Sequence, residues 1–296
     1  MVTGSRAGED RGSGGAGAPG VLAYLLGHSP HELARLELQG VLYRGVTRRA
    51  LADAGIGPGQ RVLDVGCGAG DVSLLAAELV GAEGEVVGVD RGAEALELAR
   101  RRAAAAGMAH VRFVQSDVID FVDRGGFDAV VGRFVLMHQT APAAALRVAC
   151  AHLRRGGVVM VVESWMRALL DGPHSFPSSP LYDRVVRWKC AVVGGAGADL
   201  DAGARLGRTF VEAGLPAPDT RLEASLEGGP DSLYYRYVAE SVRSMLPAAE
   251  ALGMGGFEAL GVGGPEELAD RLRDEALASG GALVAWPVVV ARARRR

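Results

Sequence analysis

The sequence predicts an α/β fold built on a doubly wound, mostly parallel sheet. Three observations predict it. Short valine-rich runs alternate with helical stretches between residues 60 and 165, the order that builds parallel βαβ units. Those runs are almost continuously apolar, as strands covered on both faces are. A turn with glycines at 66, 68 and 70 joins the first run to the first helix, where open α/β sheets bind their ligands.

The elements follow in order. Val62-Leu63-Asp64-Val65 reads as a buried strand, the glycine turn follows it, and Val72 to Val80 reads as a helix. Glycines let the backbone approach a ligand closely, and the helix N-terminus beyond them offers unpaired N–H groups. Gly84 to Asp90 is a second strand ending in a carboxylate that could accept two hydrogen bonds from a ribose diol. Ala93 to Ala106 has helical propensity. Val111 to Asp117 is a third strand, again ending in an acid; Phe127 to Phe134 is a fourth; Gly156 to Glu163 is a fifth. Each acid also has a structural use: Asp90 could cap the next helix and Asp117 could serve a turn. Cys67 reads as a small packed residue rather than a nucleophile.

A dinucleotide fingerprint, G-x-G-x-x-G, would place a third glycine at position 71. Asp71 stands there instead, and a negative side chain suits a cationic ligand better than a pyrophosphate.

Composition describes a soluble enzyme. The chain has 296 residues, 49% of them hydrophobic, enough for one α/β domain with an elaboration. A formal net charge of −3 gives no strong attraction to nucleic acid, and the basic end Arg292 to Arg296 reads as a solvated tail. Cys67, Cys150 and Cys190 lack paired or metal-like spacing, which suits a reducing cytoplasm, and no metal cluster is visible. Residues 1–20 lack the apolar core of a secretory signal and are expected to be a disordered tail, and no apolar run is long enough to span a membrane. Heavy Ala, Gly, Arg and Val usage suggests a bacterial source.

Leu63-Asp64-Val65-Gly66-Cys67-Gly68-Ala69-Gly70, Val89-Asp90, Ser116-Asp117, Phe127-Asp128 and Leu153-Arg154-Arg155-Gly156-Gly157 occur here in that order. In this the chain resembles the class I S-adenosylmethionine (SAM)-dependent methyltransferases, strongly over residues 55 to 165. The flanks resemble, more softly, small-molecule enzymes of the ubiquinone/menaquinone-methylase type found in secondary metabolism. The resemblance implies a Rossmann-like seven-stranded sheet with an antiparallel last strand, SAM as cofactor and S-adenosylhomocysteine (SAH) as product. It implies that Asp64, Gly66, Cys67, Gly68 and Gly70 surround the methionine part of SAM, that Asp90 with its neighbour Arg91 meets the ribose, and that Asp117 with Val118 meets the adenine.

The rest of the chain is divided accordingly. Residues 21–54 form N-terminal cap helices, and 55–296 the SAM-binding domain, with substrate-lid segments at about 164–202 and 228–256. Tyr24, Arg35, Gln39, Tyr43 and Arg44 are candidates for reaching the site from the cap, Tyr24 and Gln39 foremost; the alternative is a solvated helix face. A helix is expected to start near Ser179 with Pro180 at its first position. Further helices are expected over Ala204–Ala213, Asp231–Leu252 and Pro265–Ala278, and strands over Thr220–Leu226 and Ala282–Ala291. Lid aromatics such as Trp188 and Tyr237 either line an acceptor pocket or simply pack.

Methyl transfer needs an acceptor held in line, close and dry. A protonated acceptor also needs a base, and histidine is the side chain best poised for that near neutrality. His138, just beyond the fourth strand, is the first candidate for base or orienting group, Glu163 the second and His174 the third. Arg133 is a candidate for the cofactor or an acidic substrate group. His110 and His152 read as structural. The expected function is therefore cytoplasmic methyl transfer to a small organic molecule, aromatic or apolar, without nucleic-acid or membrane partners; a homodimer through the cap helices or the lid is reasonable. The alternatives are an RNA or protein methyltransferase, and a SAM-fold enzyme or binder that transfers no methyl group. Against the first, Gly132-Arg133-Phe134-Val135 stands where an Asn/Asp-Pro-Pro-Tyr segment would be expected.

Overall fold

The alternation of inward-facing residues along each strand decides the layering. Val62, Val131 and Met160 face one side of the sheet, while Leu63, Val130 and Val159 face the other, each set packed into its own apolar layer. The computed structural model in which this is seen describes residues 30–296, so the expected tail over 1–20 and Tyr24 lie outside the described residues. Two helices come first, α1 (Pro30–Leu42) and α2 (Arg44–Asp53). The alternating unit follows: β1 (Arg61–Val65), α3 (Asp71–Val80), β2 (Glu85–Asp90), α4 (Ala93–Ala105), β3 (Val111–Gln115), β4 (Phe127–Arg133), a single 3₁₀ turn (Leu136–His138), α5 (Pro142–Ala151) and β5 (Leu153–Ser164).

The elaboration runs α6 (Arg167–Leu170), β6 (Ser175–Phe176), α7 (Pro180–Gly195), α8 (Ala202–Glu212), β7 (Asp219–Glu223), β8 (Leu226–Gly228), α9 (Tyr234–Ala251), α10 (Pro265–Ser279), β9 (Ala282–Val284) and β10 (Val288–Arg294). Helix α7 starts where its sequence directs. Pro180 occupies the first turn, and the Ser179 hydroxyl accepts the Tyr182 N–H at 3.1 Å.

The main sheet has seven strands in the order β3-β2-β1-β4-β5-β10-β7. All neighbours from β3 to β5 are parallel, and β10 is antiparallel to both β5 and β7. The expected antiparallel last strand is thus present, but shorter than predicted. The run 282–291 is not one strand. Pro287 interrupts it, having no N–H to give a ladder. The first part becomes β9 in a separate three-stranded sheet, β6-β9-β8, which the sequence reading did not foresee. Trp286 lies in the break and is buried.

Strands β1 and β4 are neighbours although two strands and their helices separate them in sequence. The chain winds outward from them in both directions, so their carboxyl ends frame the crevice in which ligands bind in such sheets. Helices α1, α7 and α9 pack over that end.

Candidate active site

A cavity of about 500 Å³ opens at the carboxyl ends of β1, β2 and β4. Its floor is the glycine loop. Gly66 (φ +63°) and Gly68 (φ +51°) adopt the left-handed conformation that side chains disfavour. A side chain at Gly66 would strike Val135 at 2.5 Å, whereas the space beside Gly68 is open and belongs to the cavity. Cys67 also lines it, but burial raises its thiol well above the ordinary value, so it is no nucleophile.

Two acids stand beside this loop. Asp90 accepts the Gly68 N–H through Oδ2 and the Gly92 N–H through Oδ1, both at 2.8 Å. Asp117 accepts the Ile119 N–H at 3.1 Å, and Arg91 lies 3.8 Å from its other oxygen. Arg91 and Val118 line the cavity with them. An open glycine floor, two carboxylates with lone pairs to spare and the N-terminus of α3 suit a ligand with a ribose, an amino group and a carboxylate. Asp71, the residue that argued against a dinucleotide, also lines the cavity. Its charge is already engaged, by Arg102 at 2.7 Å and Arg133 at 3.6 Å.

The cap supplies the roof. Arg35 on α1 forks onto Glu32 at 2.7 and 2.6 Å and donates to Gln39 Oε1 at 2.6 Å. The Tyr237 hydroxyl of α9 donates to that same oxygen at 3.3 Å. Gln39 therefore reaches the cavity as the pin between two roof helices. Arg133, at the end of β4, is buried and donates to Thr47 Oγ1 at 2.9 Å. Tyr43 lines the cavity too, while Arg44 turns outward to Glu78.

His138 ends the 3₁₀ turn and lines the cavity. Burial, and then the charges of Arg35 and Arg91, push its imidazole down to about 4, so at neutral pH it is uncharged. Glu163 does not line the cavity. Fully buried, it accepts the backbone N–H groups of Val135 and Leu136 at 2.8 and 2.7 Å through Oε1, and that of Met137 at 3.4 Å through Oε2. It positions the turn that carries His138.

Other expected site residues also stand outside the cavity. His174 is held away from it, its Nδ1 2.7 Å from Asp183, beside the small sheet. Asp64 is buried within β1 and accepts the Ser73 hydroxyl at 2.6 Å; its Oδ1 has no partner among the described residues. Gly70 precedes α3 and faces Ala99 and Phe113. His110 lies against the Ala77 carbonyl, and His152 stacks near Phe121, both structurally.

One cavity residue was read from the sequence only as part of a helix. Lys189 on α7 is 2% exposed, its Nζ 4.8 Å from the ring centre of Trp286 and 5.6 Å from that of Tyr237. A signal for it was present: it is the only lysine in a chain with 32 lysines and arginines. Met137, Met166, Val193 and Met245 complete an apolar wall around it. Among the described residues no group of His, Cys, Asp and Glu could hold a metal, and no helix is long and apolar enough to cross a membrane.

Known proteins resemble the chain in sequence and in fold. A methyltransferase-domain family model matches residues 56–214. The ubiquinone/menaquinone biosynthesis C-methyltransferase of Xylella fastidiosa (strain M23) is 31% identical over 229 residues, covering 73% of each chain. That of Stenotrophomonas maltophilia (strain K279a) is 30% identical over the same length, with the same coverage. Among solved structures, the YcgJ protein of Bacillus subtilis is similar in fold, with a TM-score of 0.52 at 18% identity, over 83% of this chain and 96% of that one.

Proposed function

The chain belongs to the class I SAM-dependent methyltransferases, of the type that includes the ubiquinone/menaquinone C-methyltransferases, and we propose that its acceptor is a small organic molecule with an apolar or aromatic body. The observation that carries this is the roof of the cavity. Val193 of α7 and Tyr237 and Met245 of α9, with Met166 and Trp286 from the adjoining loops, line the acceptor end. Aromatic and thioether walls with few polar groups bind small apolar ligands, whereas a nucleic-acid strand needs an open, basic groove.

In this reading Gly66 and Gly68 give the cofactor its floor, and Asp90 with Arg91 holds the ribose. Asp117 and Val118 take the adenine, and Gln39 and Arg133 bound the methionine end. SAM brings an electrophilic methyl group on a sulfonium whose departure needs no protein acid. What remains for the chain is to hold the acceptor in line and exclude water. His138 lines the same cavity as the glycine loop. An imidazole pushed down to about 4 holds a proton poorly, so its geometry suits orienting an acceptor better than deprotonating it.

The test is a screen for SAH formation with aromatic and quinol-like small molecules, and in parallel with bulk RNA and protein. SAH formed only with small molecules is the expected result. SAH formed only with RNA or protein would contradict the acceptor class while leaving the family intact.

A further inference from the structure

We propose that Lys189 is the base of the acceptor site, taking the proton from a weakly acidic hydroxyl, a phenol or an enol, on a flat apolar acceptor. The inference rests on the small-molecule reading above and deepens it.

Three observations point to it. The first is placement: Lys189 is 2% exposed, yet lines the same cavity as the glycine loop and His138. The second is company. Among the described residues its amine meets the ring faces of Trp286 at 4.8 Å and Tyr237 at 5.6 Å, and no carboxylate lies within ion-pairing distance. A buried lysine without a counterion is costly, and long charged side chains seldom occupy such a place unpaired. The third is choice of residue. Arginine serves every other basic position in this chain. Arginine stays charged and cannot give up its proton, whereas lysine can when buried.

The surroundings set the amine's protonation. Desolvation first, and then the charge of Arg35 on α1, lower it to about 7, against an opposing effect of the neighbouring Cys190. Arg35 is itself paired to Glu32, and the Tyr237 hydroxyl on α9 points to Gln39. A fraction of neutral amine is then available near pH 7, which suits a general base.

The step balances. The acceptor O–H bond breaks, its proton going to the Lys189 amine and its electron pair staying on oxygen. The oxyanion, or a ring carbon conjugated to it, forms the new bond to the methyl carbon. The pair of the broken S–C bond returns to sulfur, and Lys189 passes its proton to solvent. The aromatic faces of Trp286 and Tyr237 stabilise the transient ammonium and offer a flat ring a stacking surface.

The single lysine makes the test direct. Protein carrying isotope-labelled lysine gives one side-chain NMR resonance, titrated first alone. The expected midpoint is about 7, well below the ordinary 10.5. SAM and beta-naphthol are then supplied between about pH 6 and 8.5, where the free naphthol is neutral and the ordinary lysine is charged. SAH formation should rise with pH and level off, with the same midpoint as the resonance. Lys189→Met removes a buried amine at similar volume, so it should fold and bind SAH within about twofold of the parent, yet form SAH from the naphthol at least a hundredfold more slowly, at any pH. Lys189→Arg keeps the cation and should be equally slow. A midpoint near the ordinary lysine value, or turnover of the Lys189→Met variant equal to the parent's, overturns the proposal. Failure to bind SAH at all is a separate result, and counts against the cofactor site instead.

Discussion

The carboxylate of Asp90 is hydrogen-bonded to the backbone N–H of Gly68, 2.8 Å from Oδ2 to N. The end of β2 is thereby tied to the loop after β1, and the acid expected to hold a ribose also holds the loop beneath it. Oδ1 is engaged once as well, by Gly92. A carboxylate has about four acceptor sites, so about two remain for a diol.

Asp90→Ala should weaken SAM binding at least tenfold. Hydrogen bonds to a charged acceptor contribute about 1.5–3 kcal/mol each, and the Gly68 turn loses its tether too. Calorimetric titration of the variant checks this. Unchanged affinity would remove Asp90 from the site.

The two loop glycines should fail differently. Gly66→Ala drives a methyl group into Val135 at 2.5 Å and should destabilise the fold. At Gly68 the added carbon meets nothing within 4 Å, so Gly68→Ala should fold with a cost of about 1 kcal/mol from its positive φ. Its methyl group enters the cavity and should abolish SAM binding. Urea unfolding and calorimetry on both variants separate these outcomes; equal stability losses would contradict the contrast.

His138→Ala should lower turnover on an acceptor found by screening by about tenfold or more, and leave SAM affinity within about twofold. Its imidazole titrates near 4, so the rate should show no histidine ionisation between about pH 5 and 7. Equal turnover would remove His138 from the acceptor side.

Stability should depend on pH through Glu163. Burial pushes its carboxyl up to about 7 from the ordinary 4.5, against the lowering effect of three backbone N–H groups. The folded state thus binds this proton more tightly than the unfolded one. Its contribution is full below about pH 4.5 and is lost as pH rises through 7. Asp64, also raised to about 7, acts in the same direction. His138, lowered to about 4, acts in the opposite one, losing its contribution as pH falls below 6.5. Glu163→Gln keeps a carbonyl oxygen for the Val135 and Leu136 N–H groups and removes the ionisation. Relative to the parent, it should gain up to about 1.4 kcal/mol per pH unit between about pH 5 and 7. Urea unfolding at three pH values measures this; parallel curves would contradict it. Glu163→Ala, which orphans the N–H groups, should be less stable than Glu163→Gln by about 2–4 kcal/mol at any pH.

What the sequence made legible is what local chemistry controls. The valine runs, the glycine turn, the acids at 90 and 117, and the Ser179-Pro180 helix start each announce themselves within a few residues. The roof does not. Lys189, Tyr237 and Trp286 meet across segments far apart in the chain, and Trp286 falls in the break between β9 and β10. Lys189 sits on the apolar stripe of α7, where periodicity reads core. Glu163 and His174 carry acid–base side chains near the right end of the sheet, but backbone N–H groups claim one and Asp183 the other. Residue type alone could not distinguish them from His138, which faces the cavity.

The most direct test of the account is calorimetric titration of the purified protein with SAM and SAH, with NAD as the control. Micromolar binding of both SAM and SAH, and none of NAD, is the predicted result. Tight NAD binding without SAM would contradict the assignment of the glycine loop and, with it, the chemistry derived from that loop.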